Sequence, residues 1–242
     1  MSERRGLIQT VNFPRITGGY RELPAVAGGD PDFASVVLLL DFAGADGGTD
    51  ITDLSASAHV DTFNNQAEID TAITALGENT VLLPAGTPSV TFPDDADWDL
   101  GTADFTVECH FQRNVVKTGG LISTFDDPNG WAVQHTSANA LRFLIGGTVV
   151  KSESWTPTAS TMHHVSVARV GTNLRMFIDG VQLGTPTTVA DDINGGSLGL
   201  FVGALLAGSN SVDGSIGAVR ITKGVGRYSA NFTPPTEFYP TS

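Results

Sequence analysis

Side chains able to do chemistry fall in a few places along the 242 residues. Asp41, Asp46, Asp50 and Asp53 flank a glycine-rich turn, the hard-oxygen chemistry that calcium takes. Their spacing is not that of an EF-hand, and acids at turns also cap nearby backbone amides. A second acidic string, Asp94, Asp95, Asp97 and Asp99, surrounds Trp98 and reads as a solvated turn. Trp131 stands beside Asp126, Asp127 and Asn129, and Trp155 follows Glu153. An aromatic face with carboxylate and amide groups suits a sugar ring, which offers C–H patches and hydroxyls. Trp131 is also in phase with Val133, so the core competes for it.

Catalytic arrangements are incomplete. Glu68 and Asp70 would share one face of a strand. Retaining glycoside hydrolysis needs two carboxyls about 5–5.5 Å apart, but the next position in phase is Ala72. No phosphate-binding Gly-Lys-Ser/Thr loop occurs. His59, His110 and His135 lack metal-ligand spacing, and the adjacent His163 and His164 fall on opposite strand faces. The expectation is a protein that binds or supports without turnover, with a structural calcium as its one cofactor candidate.

These residues must be held by strands. From residue 36 onward, short runs rich in β-branched and aromatic residues are separated by Gly, Asp, Asn and Pro. The clearest are 36–42, 90–92, 105–111, 121–125, 131–134, 141–145, 164–169, 174–178, 197–202 and 216–221. In Phe105-Thr106-Val107-Glu108-Cys109-His110-Phe111 the odd positions are apolar and the even ones polar, a half-buried strand with Cys109 inward. Asp179-Gly180 predicts a hairpin turn. Only residues 70–76 suggest a short helical turn. Residues 1–35, with Pro14, Pro24 and Pro31 and two Gly-Gly pairs, read as an extended arm. Residues 36–242 then form one all-β sandwich of two antiparallel sheets.

Composition narrows the partners. Thirteen basic and 26 acidic residues give a net charge of −13, which repels nucleic acid and anionic membranes. No apolar run is long enough to span a bilayer, and the N-terminus lacks the apolar stretch of a secretory signal. The single cysteine excludes a disulfide framework. The arm differs in charge: Arg4, Arg5, Arg15 and Arg21, with Phe13 and Tyr20, are its candidate anchoring residues.

The order of the pieces resembles the laminin-G-like jelly-roll family of concanavalin-like lectins, in the version common in bacteriophage and prophage structural proteins. The resemblance runs from Leu38-Leu39-Leu40-Asp41-Phe42 through His164-Val165-Ser166-Val167-Ala168-Arg169 and Phe177-Ile178-Asp179-Gly180. Its most specific part is Val219-Arg220-Ile221-Thr222-Lys223-Gly224-Val225-Gly226-Arg227-Tyr228-Ser229-Ala230-Asn231-Phe232-Thr233-Pro234-Pro235. Met162 stands where relatives often have an aromatic residue, and Gly217-Ala218 where they often have an acidic pair. The resemblance implies a non-enzymatic virion protein, a fibre, spike or decoration, made in the host cytoplasm without a signal peptide and displayed on the virion surface. The arm would attach to other virion proteins, and the sandwich would adhere to a host-surface polysaccharide. A homo-oligomer is expected, and a trimer suits a spike. The alternative is a purely structural decoration or joining protein of a capsid or tail. A glycoside hydrolase on the same fold is the remaining one.

Overall fold

Alternating apolar and polar residues, cut by glycine and aspartate, set the strand lengths of this protein. The computed structural model describes residues 29–206 and 208–242. Arg4, Arg5, Phe13, Arg15, Tyr20 and Arg21 lie outside the described residues. In chain order the strands are β1 (Val36–Leu40), β2 (Thr62–Asn64), β3 (Glu68–Ala75), β4 (Glu78–Leu83), β5 (Ser89–Phe92), β6 (Phe105–Arg113), β7 (Gly119–Ser123), β8 (Trp131–His135) and β9 (Ala140–Ile145). They continue as β10 (Thr148–Ser154), β11 (Met162–Val170), β12 (Asn173–Ile178), β13 (Val181–Thr188), β14 (Leu200–Val202), β15 (Ala204–Leu206), β16 (Ser209–Ser211) and β17 (Gly214–Lys223).

The expected two-sheet sandwich is what forms. One sheet has the order β13-β12-β11-β6-β17-β4-β3, with β1 also paired to β17. The other has the order β10-β9-β8-β7-β14-β5-β2, and the β15-β16 hairpin joins it through β7. Leu38, Leu40, Val81, Val107 and Phe111 of the first sheet meet Val90, Phe92, Leu121, Phe143 and Val202 of the second in the main core. Cys109 points into that core, as its phase predicted.

β17 is the spine of the first sheet. Its residues 214–217 pair with β4 and its residues 219–222 with β1, end to end along one edge, while β6 takes the other. Between the two halves the register with β6 shifts, and Ala218 adopts a positive φ of 45°. A Cβ added at Gly217 would lie 2.8 Å from the Ala75 side chain and 2.9 Å from Thr80 Cγ2. The close approach of β3 and β4 therefore leaves no room for an acid there.

Three expectations are corrected. Residues 70–76 extend β3 instead of turning as a helix, because pairing with β4 outweighs local preference. The turn survives only as a bulge, where Asp70 Oδ1 accepts from the amides of Ala72 (2.8 Å) and Ile73 (3.3 Å). β6 is not half-buried but buried on both faces. Its polar face lies under the chain after β17, where Arg227 N donates to Thr106 Oγ1 (2.8 Å) and Phe232 N to Gly180 O (2.9 Å). Lastly, the body begins inside the segment expected to be arm: Asp30 N donates to Ser242 O at 2.8 Å, and a 3-10 turn at Phe33–Ser35 leads into β1.

Candidate functional site

Three of the four acids flanking the glycine turn, Asp41, Asp46 and Asp53, accept from backbone amides, while Asp50 is exposed. Asp53 is buried, and its two oxygens accept from Leu39 N, Ser55 N, Ser55 Oγ and His59 N at 2.8–3.0 Å. Asp46 Oδ1 accepts from Thr71 N and Oγ1, and Asp41 Oδ1 from Ala43 N. Burial pushes the Asp41 carboxyl above its ordinary value, opposed by hydrogen bonds to backbone amides. Among the described residues, Asp41, Asp46, Asp50 and Asp53 do not converge as a ligand set. They do not fit a calcium ion, which takes six to eight oxygens.

The tryptophans are core residues. Trp131 is 0% exposed, its Nε1 donates to Trp98 O (2.9 Å), and its ring stacks near Phe143. Trp155 is 9% exposed and meets Phe111, His135 and His163 edge-on. Neither presents a face to a sugar. Asp126 Oδ2 is bound by Ser197 N and Oγ, while Asp127 and Asn129 are exposed on the same turn. Period-2 phase had favoured the core for Trp131, and that reading wins.

A buried ionic cluster lies under the closing run. Glu108 on β6 and Arg220 on β17 pair at 2.8 Å. His164 Nε2 (2.9 Å), Tyr228 Oη (2.9 Å) and Tyr239 Oη (3.3 Å) converge on Glu108 Oε2. Arg220 also reaches Asp30, which Arg227 binds through two nitrogens. Burial alone would raise the Glu108 carboxyl, but the Arg220 charge and the His164 hydrogen bond hold it far below its usual range. The side chains of Glu108 and His164 are 0% and 1% exposed, so the cluster has no surface for a substrate. It ties the closing run to the sheet through Arg220, Arg227 and Tyr228, and Tyr228 and Phe232 stack at 3.6 Å over it.

The surface with binding geometry is on the other sheet. A trough of about 400 Å³ is lined by residues that include Thr62, Asn64, Asn65, Ser89, Thr91, Pro93, Leu198 and Phe201. Register builds it. Thr62 opposes Thr91, and Thr91 opposes Phe201, so these three form a row across β2, β5 and β14. Strands about 4.8 Å apart make that row about 10 Å long, enough for two sugar rings. Val90, Phe92, Leu200 and Val202 alternate with the row and fill the core behind it. The β15-β16 hairpin lies beside it, with Leu205 covering Ala132 and Leu144 of the same outer face.

The trough offers hydroxyls, amides and apolar carbon. Asn64 Nδ2 donates to Thr62 O and to Thr91 Oγ1 at 3.0 Å, which orients its amide oxygen as an acceptor. Asn65 Nδ2 is held by Thr87. Leu198 is 51% exposed and supplies an apolar wall. None of the lining residues is a carboxylate or a histidine. Glu68 and Asp70 stand on β3, the edge of the opposite sheet. Sequence reading missed the trough because its residues are ordinary and its strands lie far apart in sequence. The alternation of Ser89-Val90-Thr91-Phe92 was the one signal available.

Comparison with known proteins follows the fold. Residues 84–225 match the family model described as the concanavalin A-like lectin/glucanases superfamily. No curated protein sequence matches the chain. The binding domain of Paraclostridial mosquitocidal protein 1 superposes with a TM-score of 0.60 at 12% identity, covering 79% of this chain and 49% of that one. A Trypanosoma rangeli sialidase gives 0.58 at 14% identity, over 81% of this chain and 32% of that one. Domain 4 of AbnA, a GH43 extracellular arabinanase from Geobacillus stearothermophilus solved with arabinotriose, gives 0.58 at 12% identity, over 75% and 95%. The chain thus spans about half the length of the mosquitocidal protein's domain and a third of the sialidase. At these identities the likeness is one of fold. The family match, the two antiparallel sheets and the shared architecture agree, and the chain belongs to the concanavalin A-like lectin/glucanases superfamily.

Proposed function

We propose that the chain is a non-catalytic glycan-binding protein of a phage or phage-like particle surface, with the trough on the outer face of the β2-β5-β14 region as its sugar site. The observation that carries the glycan reading is the Thr62-Thr91-Phe201 row. Its two threonines stand in line with Phe201, which is 4% exposed and closes the row, and the half-exposed Leu198 supplies the apolar carbon along about 10 Å. The related arabinanase domain, solved with arabinotriose, lends the fold a precedent for holding a short glycan. Binding without hydrolysis is supported by a lining free of the paired carboxyls that glycoside hydrolysis uses. The particle assignment draws on the closing run from Val219 to Pro235 and its resemblance to phage structural proteins, with residues 1–28 as the attachment segment.

A glycan array probed with the full chain tests this reading. Retention of a defined set of surface polysaccharide fragments, weakened in Asn64→Ala and Thr91→Ala, is the expected result. A folded chain that binds no glycan, yet co-purifies with assembled particles, would favour a purely structural decoration or joining role.

A further inference from the structure

Beside the trough, and independent of it, three side chains from two segments meet. His59 lies in the loop before β2, and Asp95 and Asp97 lie in the turn after β5. His59 Nε2 is 3.1 Å from Asp97 Oδ2, which also accepts from Ser57 Oγ at 2.6 Å. One ligand atom from each of His59, Asp95 and Asp97 lies within 4.8 Å of the other two.

Much of this geometry is fixed in advance. The His59 ring packs on Trp98 at 4.4 Å, and Trp98 is itself fully buried, with Nε1 on Pro93 O at 2.8 Å. The His59 amide is held by buried Asp53 (3.0 Å). Asp95 Oδ1 accepts from Asp97 N, which keeps the two acids on one 3-10 turn, and Lys223 Nζ grips that turn through Ala96 O. Asp95 is exposed and can rotate inward.

We propose that His59, Asp95 and Asp97 form a binding site for a divalent transition metal of the zinc class. Zinc takes one imidazole nitrogen and two carboxylate oxygens at about 2.0–2.2 Å and completes its shell with water. Those lengths place neighbouring ligand atoms about 3.3–3.6 Å apart, which a modest turn of Asp95 supplies. Calcium fits less well, since it demands more oxygens and gains nothing from an imidazole. Ser57 then serves as the outer donor that orients Asp97. The bound ion would clip the loop before β2 to the turn after β5, the segments that frame one end of the trough.

Calorimetric titration of the intact, chelator-treated chain with zinc chloride tests the site, with calcium chloride as the comparison. One zinc per chain is expected, with His59→Ala and Asp97→Asn weakening binding about a hundredfold or more and Ser57→Ala about tenfold. His163→Ala, which removes the His163–Asp179 pair at the surface, should leave zinc binding unchanged. Should His59→Ala fail to give the native melting transition, Asp95→Asn, at an exposed position, decides in its place. No zinc binding, zinc binding that survives these substitutions, or calcium bound as tightly as zinc would overturn the proposal. The readout needs no sugar, so its failure and that of the glycan reading are separate results.

Discussion

Glu108 and Arg220 face each other across β6 and β17, 2.8 Å apart, in the polar layer beneath the closing run. The Arg220 guanidinium also lies 3.8 Å over the Tyr239 ring. Strand pairing, ion pair and tail packing thus meet at one point. Removing one partner of a buried pair strands the other charge, at roughly 3–5 kcal/mol. Glu108→Gln or Arg220→Met should therefore lower the urea midpoint sharply, and the double variant should cost less than the two single changes added together. Urea unfolding of the three variants checks this.

Asp30 anchors the start of the body through Arg220, Arg227 and the Ser242 carbonyl. A chain starting at Gly29 should melt near the full-length value. A chain starting at residue 36 loses these contacts and should be less stable by about 2–3 kcal/mol, roughly 4–12 °C in Tm for a chain of this size. Calorimetric melting of the two truncations separates them, and particle association of the first isolates the role of residues 1–28.

Acid should unfold the protein in two stages. Burial, aided by the His164 charge, pushes His110 down to about 3, and burial with the Arg113 charge pushes His135 down to about 4. Between pH 6.5 and 4 the unfolded chain takes up protons at these positions that the folded chain refuses, so stability falls as pH falls. Below pH 4 the depressed carboxyls act in the same direction. Asp30, which burial would raise, is lowered by Arg227, and Glu108, likewise opposed by burial, is held well below its usual range by Arg220 and His164. Their stabilisation is complete above the unfolded carboxylate value and lost as pH drops through the folded one. Urea midpoints at pH 7, 5 and 3.5 should fall stepwise, and His135→Leu should flatten the first step.

Gly217 should not accept an acid. Gly217→Asp forces a side chain against Ala75 and Thr80 and adds a charge beside the β3-β4 pairing, a loss of about 2–4 kcal/mol. Thermal melting of this variant beside Gly224→Ala gives the contrast. An added Cβ at Gly224 meets nothing within 4 Å, and only its positive φ of 86° resists substitution.

The fold was legible because period-2 patterning survives wherever one sheet face meets the core. Phe105, Val107, Cys109 and Phe111 turn inward as their phase requires. The same pattern misled for Glu108, whose side chain is covered by Arg220, Tyr228 and Tyr239, more than a hundred positions away, a contact local phase does not encode. The tryptophans drew attention as sugar stackers, yet large aromatics are the residues a sandwich core most needs. The trough went unread because Thr62, Thr91 and Phe201 become neighbours only through strand order.

The most direct test of the account is the affinity of the intact chain and its Thr91→Ala and Thr62→Ala variants for the strongest glycan found on the array, measured by titration calorimetry. Each variant should bind about tenfold more weakly, the loss of one hydroxyl hydrogen bond, while keeping a cooperative native melting transition. Affinity unaltered by both substitutions would place the sugar elsewhere and contradict the assignment of the trough.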